Sequence, residues 1–426
     1  MMQPTGLPAF RTFILKVANR CNIDCDYCYV FNSKDQAARR LPARMSLDVA
    51  RNTARRIGAH AAAHNLPSVD VVLHGGEPLL AGIRHLSELL ATLRETVPAG
   101  TPVRFGLQTN GTLLSAAWLD LFQQYGVAVG VSLDGPPSAN DRHRLSHAGR
   151  STAASALRGI DLLRARPHLF AGLLAVVDLA NDPVEVHDHL AALAPPVIDF
   201  GLPHATHDDP PYRGDPSVPE YGVWLSKVYD AWLARTEYRH SVRMLEDIVA
   251  LSSGVHGSVE TLGLAPPTSV VIESDGSLEG VDTLRSVEEG ASWLGLDVFH
   301  HSFDDALRHP KLRHRQHGKD ALAAKCRGCP IVDVCGGGYL PHRFSTASGY
   351  GNPSVYCADL EYLIRHVQVS LRAHGWTHLN DREETGDTDG RDDPSRGEAG
   401  RPGRGRTDRG DRAVLRHGRD SHPADR

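Results

Sequence analysis

Residues 13–28 read FILKVANRCNIDCDYC, an apolar run that is followed after two residues by three closely spaced cysteines. Three thiolates on one loop are one ligand short of the four that hold an ordinary iron–sulfur or zinc site. A cubane cluster held by Cys21, Cys25 and Cys28 keeps one iron open, and an open iron can chelate a small molecule with adjacent amine and carboxylate groups. The alternative is a zinc ion whose fourth ligand is a histidine or water.

The remaining cysteines lie almost three hundred residues further on, at Cys326, Cys329, Cys335 and Cys357. Seven cysteines in two tight groups are not the distribution of a disulfide framework, and they favour metal chemistry. Four thiolates form a complete ligand set. Taken alone, this second group suits zinc and an iron–sulfur cluster equally well.

Six short apolar runs alternate with amphipathic stretches between residues 13 and 204, and the runs begin at Phe13, Val69, Arg104, Val127, Leu169 and Val197. This alternation predicts parallel strands covered by helices, which right-handed crossovers curl into an open barrel. Polar clusters follow five of the runs: CNIDCDYCYV, HGGEP, QTNG, SLDG and PHATH. Ligand chemistry in α/β barrels gathers at the carboxyl ends of the strands, so we expect these clusters to share one mouth. Single clusters of this kind are also ordinary turns.

The spacing CxxxCxxC with an aromatic residue before the last cysteine resembles the signature of the radical S-adenosylmethionine (SAM) superfamily. The resemblance implies that Cys21, Cys25 and Cys28 hold a [4Fe-4S] cluster. It places Tyr27 beside the adenine, and Gly75, Gly76 and Glu77 at the methionine amino group. SLDG, with Ser132 and Asp134, resembles the region that contacts the ribose and carboxylate of SAM. Gln108 and Asn110 of QTNG are expected to lie at the same mouth. Arg144, or failing that Arg142, is expected to clamp the methionine carboxylate.

Because they follow such a barrel in the sequence, the four late cysteines resemble the SPASM extension of peptide-modifying radical enzymes. The implied fold is an α/β partial (β/α)6 TIM-like barrel with a C-terminal SPASM/twitch-like iron–sulfur extension. The full pattern has seven cysteines and two auxiliary clusters, but two of its cysteine positions are here Val281 and Tyr339. We therefore expect one auxiliary [4Fe-4S] cluster, held by Cys326, Cys329, Cys335 and Cys357. Asp282 follows a vacated position and is the candidate base, or else a hairpin-end aspartate that bonds the backbone.

The whole set of motifs resembles the FxsB-type radical SAM/SPASM maturases. This resemblance implies an oxidoreductase that joins an aromatic ring of a ribosomal precursor peptide to a neighbouring β-carbon, forming a cyclophane. Its partners are the precursor peptide and a one-electron reductant such as flavodoxin or ferredoxin. The alternatives are a sulfatase-type maturase that forms formylglycine, another radical modification such as a thioether, and a non-enzymatic zinc scaffold. His204 and His207, as lone loop histidines, are expected to be solvated or to line the mouth.

We expect the barrel over residues 8–210, bridging helices over 211–268, the auxiliary-cluster region over 269–375 and a disordered tail over 381–426. A hairpin is predicted with Asp275 and Gly276 at its turn. Lys plus Arg total 46 against 51 for Asp plus Glu, and this balance gives no reason to expect nucleic acid as a partner. No apolar run is long enough to span a membrane, and no signal peptide is apparent, so a cytoplasmic protein is expected.

Overall fold

The computed structural model describes residues 8–374, except residues 99, 216, 238, 258 and 313–316. These residues belong to one compact unit, Met1–Asp381. The predicted disordered tail, residues 381–426, lies outside the described residues. None of the helices in the described part is long and apolar enough to cross a bilayer.

Twelve strands are found among the described residues. They are β1 (Thr12–Ala18), β2 (Ile23–Cys25), β3 (Val69–Gly75), β4 (Val103–Thr109), β5 (Val127–Ser132), β6 (Arg144–Ser146), β7 (Phe170–Val176), β8 (Val197–Gly201), β9 (Ser241–Val242), β10 (Ser269–Ile272), β11 (Ser277–Glu279) and β12 (Trp293–Asp297).

Most α-helices in the described part of the chain come directly after, in the sequence, the strand that they cover. They are α1 (Leu47–Ala63), α2 (Ile83–Thr96), α3 (Ala116–Tyr125), α4 (Pro137–Asn140), α5 (Ala153–Arg164), α6 (Pro183–Ala192), α7 (Glu220–Ala234), α8 (Arg243–Ser252), α9 (Phe303–Leu307), α10 (Ala324–Arg327), α11 (Val332–Cys335) and α12 (Cys357–Ala373).

The main sheet has ten strands in the order β12-β11-β10-β1-β3-β4-β5-β7-β8-β9. The six strands predicted from the sequence, β1, β3, β4, β5, β7 and β8, are neighbours in this order and all pair in parallel. Helices lie between successive strands, as parallel crossovers require. The α/β fold with six parallel strands expected from the sequence is therefore confirmed.

The predicted hairpin is also confirmed, because β10 and β11 pair antiparallel around the turn at Asp275 and Gly276. The place of this hairpin in the main sheet was not predicted. Strand β10 pairs in parallel with β1, with Thr12 opposite Ser269, so the C-terminal segment continues the barrel sheet. The residue boundaries of the expected regions stay predictions.

Apolar side chains of the strands and helices form one large core. Helix α1 shows the pattern clearly: Ser46 caps its amino end by accepting a bond from the Val49 amide at 3.2 Å, and Val49, Ala50 and Ile57 are buried on one face. Strand β1 buries Phe13, Leu15 and Val17. With the strands held in this way, their carboxyl ends and the loops that follow them lie at one edge of the sheet.

Candidate functional site

The three-cysteine loop follows β1 and is anchored by a short second sheet. Strand β2 pairs antiparallel with β6, which places Cys25 opposite Arg144. The Cys28 amide donates to the Cys25 carbonyl at 3.0 Å. Burial raises the pKa of Cys21 to about 11 and that of Cys25 to about 12, and the neighbouring thiols add to both shifts. Clustered, buried thiols of this kind ionise readily only beside a cation, so the loop fits a metal centre.

The two glycines after β3 pack directly against this loop. A Cβ on Gly75 would overlap the Ala18 carbonyl oxygen, and one on Gly76 would overlap the Arg20 carbonyl oxygen. The Gly76 amide donates to the Ala18 carbonyl at 2.8 Å, and the Glu77 amide donates to the Arg20 carbonyl at 2.8 Å. Both positions require glycine because the backbones approach too closely for any side chain.

Glu77 is completely buried, and its carboxylate accepts three bonds from the protein. The donors are the Leu79 amide at 3.1 Å, the Thr109 hydroxyl at 2.7 Å and the Asn110 amide at 2.8 Å. Burial raises the pKa of Glu77, and these bonds oppose the rise. The structure thus uses Glu77 to join the loops after β3 and β4. Its predicted contact with the methionine ammonium stays a prediction.

Tyr27, Asp134 and Arg144 form a bonded group beside the cysteines. The Tyr27 hydroxyl donates to Asp134 at 2.6 Å and accepts from Arg144 at 2.8 Å. Burial raises the pKa of Tyr27 well above its usual value, so the hydroxyl keeps its proton. Arg144 is buried, whereas Arg142 is largely exposed and binds Asp178 at 2.6 Å. The structure therefore places Arg144, and not Arg142, in the site.

The remaining residues predicted to contact SAM lie at or just after the carboxyl ends of β4 and β5. The Gln108 amide donates to the Ser132 hydroxyl at 2.9 Å. The side-chain amide of Asn110 donates to Asn22 at 2.9 Å and lies 3.9 Å from the Cys21 sulfur. All the predicted contact residues thus lie at the carboxyl ends of neighbouring strands or in the loops that follow them.

Asp282 lies at the end of the hairpin and is linked to the first strand. Its carboxylate forms a short ion pair with Lys16 and accepts from the Tyr29 hydroxyl at 2.8 Å. Lys16 also lies 3.1 Å from Nδ1 of His74. Burial alone would raise the pKa of Asp282, but the charges of Lys16 and His74 and the bonds from Lys16 and Tyr29 lower it below its usual range. Asp282 is therefore an ionised carboxylate at neutral pH.

Two histidines extend this network away from the cysteine loop. The ring of His204 lies 5.1 Å from that of Tyr29, and the ring of His342 lies 6.4 Å from that of His204. Burial lowers the pKa of His204 to about 4 and that of His342 to about 3, so both rings are neutral. Of the two loop histidines considered from the sequence, His204 is partly buried beside Tyr29 and His207 is exposed.

The four late cysteines line one cavity of about 220 Å³. Four thiols around one cavity suit a metal centre, either zinc or an iron–sulfur cluster. Cys326 is the least exposed of the four, and burial raises the pKa of Cys335 to about 12. Arg343 donates to the carbonyls of Gly336 and Gly338 at 2.7 and 3.0 Å and so fixes the turn after Cys335.

The two positions without the expected cysteines, Val281 and Tyr339, belong to one small apolar cluster. Val281 is buried in it together with Leu284 and Leu340, and Tyr339 packs against its edge. The Tyr339 hydroxyl also lies 2.6 Å from that of Thr283. Packed side chains thus fill the space around these two positions.

Three residues of the Asp282 network, Lys16, Tyr29 and His74, were missed in the sequence. One signal was available for Lys16, which is the only charged residue in the apolar run FILKVA. A charge in a central strand is buried, and buried charges are retained with a partner. The partner lies 266 residues away and could not be identified from spacing.

Comparison with known proteins agrees with this geometry. Residues 15–176 match the sequence model of the Radical SAM superfamily. The chain is 29% identical over 346 residues to the serine-type anaerobic sulfatase-maturating enzyme of Klebsiella aerogenes, covering 80% of this chain and 82% of the relative. It is 22% identical over 368 residues to a cysteine-type anaerobic sulfatase-maturating enzyme of Clostridium novyi (strain NT), covering 82% of this chain and 92% of the relative.

Two solved structures share the fold. Native anSMEcpe with bound AdoMet superposes with a TM-score of 0.71 at 20% identity, covering 85% of this chain and 98% of that chain. Streptococcus suis SuiB bound to the precursor peptide SuiA superposes with a TM-score of 0.56 at 15% identity, covering 82% of this chain and 76% of that chain.

Proposed function

Because residues 15–176 match the Radical SAM superfamily, we propose that this chain oxidises a peptide substrate by removing a hydrogen atom from a β-carbon. The enzyme uses SAM and a [4Fe-4S] cluster, the cofactors of its superfamily. We propose further that the substrate is a ribosomal precursor peptide. The carbon radical adds to a neighbouring aromatic ring and so closes a cyclophane.

The three-cysteine loop fits the SAM-binding cluster. Cys21, Cys25 and Cys28 provide three thiols on a loop that β2 and the glycines after β3 hold rigid. Bound there, the cluster and SAM supply a 5′-deoxyadenosyl radical. The residues of this chain position the reactants and exclude water from the mouth.

Arg144 and its partners fit the carboxylate of SAM. Arg144 is a buried cation, and Tyr27 and Asp134 hold its side chain in place. A planar guanidinium with fixed orientation suits a carboxylate. Gln108 and Ser132 orient one another on the adjacent strands and are proposed to contact the ribose.

Asp282 is proposed to take the proton that the aromatic ring loses when it regains aromaticity. Its pKa is low only while Lys16 and Tyr29 are bonded to it, so proton uptake requires that one of these bonds loosens. Nδ1 of His204 and Nε2 of His342 have no hydrogen-bond partner in the described part of the chain, and we propose that they contact the peptide backbone.

The four late cysteines are proposed to hold one auxiliary [4Fe-4S] cluster. Full cysteine ligation leaves no open iron for substrate, so this cluster serves as the acceptor of the surplus electron. In the cross-link, two C–H bonds break and one C–C bond forms. One hydrogen atom goes to the adenosyl radical, one proton goes to the base and one electron goes to the auxiliary cluster. A flavodoxin- or ferredoxin-type reductant is proposed to supply the electron that starts the reaction.

Formylglycine formation is the second candidate, because the curated relatives named above are sulfatase-maturating enzymes. When no ring is available to the radical, the same hydrogen removal from serine, followed by loss of one proton and one electron, gives an aldehyde. From cysteine these steps give a thioaldehyde, which water converts to the aldehyde with release of hydrogen sulfide. Val281 and Tyr339 pack in an apolar cluster at the two positions where the full SPASM pattern has cysteines, and we take this loss to count against the sulfatase-type reaction.

The deciding experiment offers the reconstituted enzyme two peptides under anaerobic conditions. One is a precursor with a ring-deuterated aromatic residue, and the other is a sulfatase peptide with serine or cysteine. Because serine oxidation and cross-linking both remove two hydrogens, mass alone does not separate them. Loss of one ring deuteron without hydrazine reactivity supports the cross-link. A hydrazine-reactive aldehyde in the sulfatase peptide supports the second candidate, and a variant with Cys21, Cys25 and Cys28 replaced by Ala is the inactive control.

A further inference from the structure

A cluster of two histidines and one aspartate lies where α1 meets α9. His60 lies in the last turn of α1, His64 caps the carboxyl end of this helix four residues later, and Asp304 is in the first turn of α9. The Asp304 carboxylate oxygen lies 3.0 Å from Nδ1 of His60 and 2.7 Å from Nε2 of His64. One ligand atom from each residue lies within 4.8 Å of the others. The three side chains therefore converge on one point.

The burial of His60 distinguishes this cluster from a hydrogen bond between exposed side chains. The His60 side chain is only 2% exposed, and its Nδ1 faces the Asp304 carboxylate at 3.0 Å. Phe10, Phe13 and Phe303 surround the ring, with centroids 6.0 to 6.2 Å away. A buried imidazole and a second imidazole that face the same carboxylate are a set of ligand types that zinc prefers.

We propose that His60, His64 and Asp304 bind a zinc ion. Imidazole nitrogens and a carboxylate oxygen are zinc ligands at ~2.0–2.2 Å, and histidines at i and i+4 of a helix present their rings on one side. Small shifts of the three side chains bring their ligand atoms to that distance. His64 and Asp304 are partly exposed, so a water molecule from the solvent side completes the tetrahedron. Burial lowers the pKa of His60, which keeps its ring neutral and able to coordinate.

This site is separate from both cysteine groups. Phe10 and Phe13 lie at the amino end of β1, whereas Cys21 follows the carboxyl end of that strand. The zinc would therefore join a barrel helix, α1, to the segment that follows β12. Its role is to hold these two elements together, with no part in the radical chemistry.

The test uses the full-length, cluster-reconstituted enzyme and zinc alone as the probe. We expect one zinc per chain, with a Zn K-edge EXAFS spectrum that shows nitrogen and oxygen ligands and no sulfur. His64→Ala and Asp304→Asn should weaken zinc binding by on the order of 100-fold or more, because loss of a ligand exceeds the effect of an outer-shell change. His300→Ala is the matched control, since its exposed ring pairs with Asp297 at 3.0 Å in the same way.

The melting temperature gives an independent readout. A chelator used at a level that leaves the iron content unchanged should lower the melting temperature of the parent enzyme and leave that of His64→Ala unaffected. Equal zinc affinity in the parent and both variants would refute the site, as would sulfur scattering in the zinc spectrum. Because His64 is partly exposed, its replacement tests the site even if the buried His60→Ala variant does not fold.

Discussion

Lys16 of β1 and Asp282 at the end of the hairpin form a buried ion pair, although 266 residues separate them in the sequence. The pair joins the barrel to the C-terminal segment at the mouth, where the Tyr29 hydroxyl also binds Asp282. Removing one partner of a buried pair leaves an uncompensated charge, at a cost of about 3–5 kcal/mol. The same ion pair therefore stabilises the mouth and holds the proposed base, Asp282, in its ionised form.

Asp282→Asn is expected to retain both iron–sulfur centres and SAM cleavage but to slow product formation by ~100-fold or more, the usual contribution of a general base. Because this variant also leaves Lys16 unpaired, the double variant Asp282→Asn/Lys16→Met is the control for stability. Single-turnover assays should show uncoupled 5′-deoxyadenosine formation in both variants. Normal peptide closure in Asp282→Asn would remove this residue from the mechanism.

Arg144→Met should weaken SAM binding by at least tenfold without changing the iron content, because its buried guanidinium is the proposed partner of the methionine carboxylate. Arg142→Met is the matched control, since that side chain binds Asp178 at the surface. Equilibrium binding of labelled SAM to the reconstituted enzyme measures the difference. Equal losses in the two variants would argue against the assignment of Arg144.

Iron analysis tests both cysteine groups. Reconstituted enzyme should hold about eight irons per chain, as two four-iron clusters. Replacing Cys21, Cys25 and Cys28 together should leave about four and abolish SAM cleavage, whereas Cys326→Ala should damage the other cluster. Zinc in either cysteine group of fully active enzyme would contradict the assignment.

The neutral histidines of the mouth predict a loss of stability in acid. Burial lowers the pKa of His204 to about 4, while the unfolded residue titrates near ~6.5, so the unfolded state binds more protons between these values. The free energy of unfolding should therefore rise with pH in this window, by up to about 1.4 kcal/mol per pH unit for each such histidine.

The measurement compares the parent enzyme with His204→Gln between pH 5 and 7, a range in which Asp282 stays ionised. The variant should show a shallower dependence of the melting temperature on pH. His207→Gln, which changes an exposed ring, should behave like the parent. An unchanged slope in His204→Gln would show that His204 does not contribute to the acid sensitivity.

Much of the barrel could be predicted from local sequence. The six parallel strands are short apolar runs, and the polar ends of these strands meet as expected. The pairing of β10 with β1 was not predictable, because parallel pairing depends on contacts that sequence periodicity does not record. In the site, the cysteines and Arg144 were found through their spacing. Lys16, Tyr29 and His74 were missed because each acts through a partner from a distant strand or loop.

The parallel pairing of β10 with β1 also constrains how the chain folds on the ribosome. Thr12 acquires its partner Ser269 only after 257 further residues have been made, which at ~5–20 residues per second takes roughly 13 to 51 s. During that interval one edge of β1 has no neighbour, and the nascent strand is open to pairing with other chains. Overexpression without chaperones should therefore trap partly synthesised or misfolded chains before the cysteine loop is enclosed.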